Sequence, residues 1–170
     1  MSKTAPIPLL ASVLVSLCAL RPNPPALPTQ IRTILDSEHP HWRFATVDTG
    51  EQRNLRPGER PDWVSGDLDA DGKADYVVQI IDTGRTPNFR QLVLGFLRRD
   101  TGYLNVPIDS GPPSQDTYLR VNVRGSRGFD IETHEWFAYP TDVLSILDDQ
   151  TAGKDCPYRS GRFECFISGD

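Results

Sequence analysis

Ser65 to Ile81 reads SGDLDADGKADYVVQII. Asp67, Asp69, Asp71 and Asp75 stand at the first, third, fifth and ninth places of a short stretch, with Gly72 at the sixth and Lys73 at the seventh. Aspartates that alternate along a tightly curved loop can all turn inward to one centre, and a glycine permits the bend. Such a centre suits a hard cation, since calcium takes six to eight oxygens at ~2.3–2.6 Å. The seventh residue adds its carbonyl while the Lys73 ammonium points to solvent. Without an ion, four carboxylates ~5–6 Å apart repel one another by a few kcal/mol in total at an effective dielectric of ~20. A divalent cation reverses that repulsion. The expectation is one Ca2+, preferred over magnesium because magnesium demands a small octahedral site and keeps its waters. The alternative is an unoccupied Asp-Gly turn with solvated aspartates.

An EF-hand needs a bidentate glutamate at the twelfth place and a helix on either side. The twelfth residue here is Val78, inside an evident strand. The stretch Gly66 to Ile80 instead resembles the calcium loops of FG-GAP and VCBS repeats, whose pattern runs close to GDxDxDGxxDxVV. The resemblance implies that Asp67, Asp69, Asp71 and Asp75 supply side chains and Lys73 its carbonyl. It also implies a loop joining two strands. The family repeats its motif around a propeller, whereas this chain holds one copy, and 170 residues cannot hold a multi-blade propeller. The rest of the chain looks like small exported bacterial proteins of unassigned function.

Other reactive residues carry weaker patterns. Cys156 and Cys165 bound CPYRSGRFEC, with Ser160 and Gly161 near its middle. A hairpin stapled near its open end looks like this. A bridge closing that loop stabilises by ~2.5–3 kcal/mol on the chain-entropy account, and it belongs to an oxidising compartment. The alternative is two unpaired thiols. His39, His41 and His134 lack the spacing of a metalloprotease helix, and no serine sits in a nucleophile elbow. They read as surface or partly packed histidines. The tryptophans of WRF, DWV and HEWF read as core and edge packing, or as a ligand surface. Arg98 and Arg99 end a strand and read as a solvated edge.

The elements that must position these residues follow from periodicity. TQIRTILDSEH places Ile31, Ile34 and Leu35 at helical spacing, so a short helix is expected over about 30–38, with Thr29 as N-cap and Pro40 beyond its end. Strands are expected at WRFATV, DYVVQII, QLVLGFLRR, YLNVPI, TYLRVNV and RFECFI; DVLSIL fits a strand or a short helix. Asp100-Thr101-Gly102 makes a hairpin turn. Strand follows strand without intervening helices. The fold class is therefore α+β: an antiparallel β-meander sheet with one short N-terminal helix, a single calcium loop and a C-terminal disulfide hairpin.

Residues 1–20 read as a secretory signal peptide, since the apolar run Ile7 to Leu20 is short of the ~20 residues a spanning helix needs. Cys18 ends the run in LVSLC, a loose lipoprotein cleavage box. Lipidation at Cys18 is one reading, and ordinary cleavage near Ala19 or Ala26 is the other. Residues 21–28 form a Pro-rich tether, and 29–170 a single α+β domain. The formal charge is −5 and no Lys/Arg run occurs, which excludes nucleic acid as an expected partner.

The function expected is a secreted or periplasmic calcium-binding domain, a non-catalytic module for an unknown protein or glycan ligand, with a lipid anchor if Cys18 is modified. One alternative is a calcium-stabilised envelope hydrolase, with His134 beside Glu132 or Glu135. The other is an enzyme inhibitor presented on the disulfide-fixed loop.

Overall fold

The structure is a computed structural model and describes residues 26–48, 55–56, 59–148 and 151–169. Cys18, the expected signal segment and most of the tether lie outside the described residues. The helical period at Ile31 and Leu35 produces α1 (Thr29–Glu38), and both side chains are fully buried. Thr29 is its first helical residue rather than its cap. Pro28, held extended and with no N–H to lose, takes the cap position, and its carbonyl accepts the amides of Ile31 and Arg32.

A first antiparallel sheet contains β1 (Trp42–Phe44), β2 (Trp63–Gly66), β3 (Asp75–Asp82), β4 (Gln91–Arg99) and β5 (Gly102–Gly111). The strands β3, β4 and β5 run as a meander, while β1 and β2 share the other edge of β3, opposite its late and early residues respectively. A second sheet contains β6 (Thr117–Asn122), β7 (Arg127–Asp130), β8 (Glu135–Ala138), β9 (Val143–Asp148), β10 (Thr151–Cys156) and β13 (Phe166–Gly169) in the order β6-β9-β10-β13-β7-β8. Between β10 and β13 lies a small hairpin, β11 (Tyr158–Arg159) with β12 (Arg162–Phe163). The expected α+β class stands, with α1 the one helix of α type among the described residues. The strands divide between two sheets rather than extending one.

That division explains the unbroken apolar runs of β3 and β4. Val78, Ile80, Leu92, Leu94 and Phe96 face α1 and join Ile31 and Leu35 in one core. Val77, Val93 and Leu97 face the second sheet and pack on Leu119, Leu144 and Ile146. A sheet covered on both faces has no solvated face to alternate toward. The HEWF segment forms the β8 edge of the β7–β8 hairpin, with Trp136 tilted against Phe129 at 5.0 Å.

Candidate metal site

The acidic loop joins β2 to β3, whose antiparallel register pairs Gly66 with Asp75 at its base. Leu68 points into the core between the sheets and is 1% exposed, which anchors the loop from below. Ala70 (φ 61°) and Gly72 (φ 82°) both adopt left-handed backbone, so the chain curls within a few residues. Such a φ favours glycine and is tolerated less readily by alanine. The curl turns carboxylates inward: both Asp67 oxygens accept the Gly72 amide at 3.1 and 3.2 Å, Asp69 accepts Asp71 N–H at 3.3 Å, and Asp71 accepts Lys73 N–H at 2.9 Å.

The loop brings Asp67, Asp69 and Asp71 together, with one oxygen of each within 4.8 Å of the others. Three carboxylate oxygens at that spacing form a donor set for a hard cation. Asp75 stands apart from this cluster. It is fully buried beneath the loop, where Oδ2 accepts Leu68 N–H (2.9 Å) and Asp69 N–H (3.3 Å), and Oδ1 accepts Arg98 N–H (2.7 Å). Burial pushes its carboxyl up to about 6, against the pull of the Arg98 amide and with help from the Asp69 charge. The Lys73 ammonium reaches across to Asp100 in the β4–β5 turn at 2.9 Å. That contact raises the lysine pKa and lowers the aspartate pKa.

Two contributors were missed. Arg99 is no solvated edge residue: its Nη1 lies 2.6 Å from Asp69 Oδ2 and 3.9 Å from Asp71. The same Nη1 donates to the Arg98 carbonyl at 2.8 Å, which fixes the guanidinium beside the loop. The antiparallel pairing of β3 with β4 carried a hint, because it sets the last residues of β4 beside the first of β3. Arg98, for its part, lies over the Tyr103 ring at 5.0 Å. The other contributor is Asp142, in the β8–β9 connection, which accepts the Asp67 amide (3.1 Å) and the Arg124 amide (2.9 Å) and so ties the loop to the second sheet.

Comparison with protein families, with curated proteins and with solved structures finds no match to this chain.

The remaining residues divide clearly. Cys156 and Cys165 are joined in a disulfide, which points to an oxidising compartment. Cys156 is fully buried in the inter-sheet core, and the Tyr158–Phe163 ring contact seats the hairpin beside it. Residues Arg159 to Arg162 are exposed at the tip, around a two-residue turn with Ser160 (φ 51°) and Gly161 (φ 86°). His134 sits in the exposed β7–β8 turn against Phe129, between exposed Glu132 and Glu135. Among the described residues, no helix is long and apolar enough to cross a membrane.

Proposed function

We propose that this protein is an exported calcium-binding domain, secreted or periplasmic, whose single ion stabilises a non-catalytic module for a protein or glycan ligand. The observation that carries the metal assignment is the convergence of Asp67, Asp69 and Asp71 within 4.8 Å. These three carboxylates and the Lys73 carbonyl hold the ion, and Asp75 holds the loop amides that give it shape. The all-oxygen donor set suits calcium better than a transition metal. Bound calcium neutralises the clustered charge and locks the turn between β2 and β3. The Cys156–Cys165 bridge supports the exported location.

The test is calcium titration of chelator-treated protein by calorimetry and by thermal melting, with magnesium in parallel. Calcium at ~100 times its dissociation constant should stabilise the fold by about 2.7 kcal/mol. The double variant D69N/D71N should lose that gain. Absence of heat and of any melting shift with calcium would discard the assignment. The interaction role is tested by pull-down from envelope extracts with and without chelator. A calcium-dependent partner supports it, and substrate turnover without a partner favours the hydrolase instead.

The exposed Arg159–Arg162 tip, held by a disulfide and a ring contact, favours the inhibitor as the second reading. It is tested by hairpin-tip substitutions in protease inhibition assays; loss of inhibition supports it, and no inhibition by the wild type removes it.

A further inference from the structure

At the far end of the first sheet from the acidic loop, a cleft of about 450 Å³ opens beside the C-terminus of α1. His39, Arg85 and Asn105 line it, together with Pro107 and the nearly buried Leu92 and Leu94. The histidine is held in one orientation. Its backbone N–H caps α1 by donating to Leu35 O at 2.8 Å, and its Nδ1 lies 3.0 Å from Asp82 Oδ2. A carboxylate only accepts, so Nδ1 carries the proton and Nε2 is the ring nitrogen left over. Asp82 is itself fixed, because Oδ1 accepts the Gly84 amide at 2.9 Å. Burial would raise the Asp82 pKa, but the His39 hydrogen bond and the Gly84 amide outweigh it and hold the carboxyl below its ordinary range.

Most polar groups around the cleft are already engaged. Asp109 is paired with Lys154 at 2.9 Å, and Glu38 accepts Asn105 Nδ2 at 2.6 Å. Asp82 accepts from His39 Nδ1, and the Arg85 charge is a further, smaller pull that lowers its pKa. The Arg85 guanidinium makes no hydrogen bond or ion pair among the described residues. A guanidinium with no direct partner among the described residues, beside a positioned imidazole, is the arrangement of a small-molecule site with a few orienting polar groups. A planar guanidinium suits a carboxylate.

We propose that this cleft binds a small organic carboxylate carrying a hydroxyl group, its carboxylate on Arg85, its hydroxyl donating to His39 Nε2 and its apolar body against Pro107, Leu92 and Leu94. Asp82 acts as a positioning residue that sets the tautomer. The site is independent of the acidic loop: β3 runs from Asp75 at one to Asp82 at the other.

The probe is mandelate, added to the full chain and followed by NMR at the His39 ring and the Arg85 side chain. Phenylacetate lacks the hydroxyl, mandelamide lacks the charge, and inorganic phosphate lacks the apolar body. Mandelate should shift both resonances with a dissociation constant on the order of 1 mM or tighter. Phenylacetate and mandelamide should each bind about tenfold more weakly, as should mandelate to R85Q. In H39Q, mandelate and phenylacetate should bind alike. If H39Q fails to fold, R85Q, altered only at an exposed side chain, still carries the test. Phosphate binding as tightly as mandelate, an R85Q variant with undiminished affinity, or no shift with any probe would overturn the proposal.

Discussion

Arg99 and Asp69 stand 2.6 Å apart, joining the end of β4 to the middle of the acidic loop. The Asp69 side chain is nearly buried, so its charge meets a fixed guanidinium rather than bulk water. The loop therefore carries built-in countercharges, Arg99 here and Lys73 at 3.8 Å from Asp71, and the repulsion among its carboxylates is relieved in part before any ion arrives.

Replacing that arginine separates the two contributions. R99Q should lower calcium-free stability by about 1 kcal/mol, a modest figure because the guanidinium is 38% exposed and solvent screens it. The calcium-induced rise in melting temperature should then be larger in R99Q than in the wild type, since the ion relieves more uncompensated charge. Thermal melts in chelator and in calcium check both. An equal calcium response in the two proteins would mean that Arg99 and the ion do not share a target.

Asp75 should prove structural as well as electrostatic. D75N keeps one acceptor for Arg98 N–H but turns an amide NH2 toward the Leu68 and Asp69 amides, costing about 1–3 kcal/mol. The pH dependence has a definite sign. The folded pKa of about 6 lies above the ordinary 3.8, so the contribution of this group is fully present below the ordinary value and is lost as pH rises through about 6. In chelator, the stability gap between wild type and D75N should be widest near pH 4 and narrower at pH 7. Urea titrations at the two pH values measure it; a gap that widened with pH would reverse the sign.

Reduction of the disulfide should loosen the C-terminal hairpin. Loss of the Cys156–Cys165 bridge should cost ~2.5–3 kcal/mol, in keeping with the short loop it closes. Melting with and without reductant, and of C165S, should give matching drops. Because Cys156 is buried in the core, a serine there should cost more than one at the exposed Cys165.

Gly95 marks where that hairpin lies on the first sheet. A Cβ built at Gly95 would come 2.7 Å from the Phe163 ring and 3.3 Å from Ile108. The ring cannot swing freely, since Tyr158 packs edge-on against it at 5.1 Å and the disulfide closes the hairpin behind it. G95A should therefore destabilise by about 1–3 kcal/mol through overpacking. Combining G95A with F163A should recover part of the loss, and denaturant melts of the three variants test it.

What the chain declares about itself is local. The bend that gathers Asp67, Asp69 and Asp71 is made within a few residues, with Gly72 supplying the positive φ, and their spacing alone pointed to a cluster. The helix followed from the spacing of Ile31 and Leu35, and the bridge from two cysteines around a turn. These features depend on neighbours in the chain, so period and spacing express them directly.

What tertiary structure decided depends on residues far apart. The apolar runs of β3 and β4 called for burial, but a run buried on both faces does not say what covers each; α1 covers one and the second sheet the other. Asp69 meets Arg99 across 30 positions, His39 meets Asp82 across 43, and Asp67 meets Asp142 across 75. No short-range pattern encodes such pairs, because strand register and sheet packing must form before the side chains come within reach of one another.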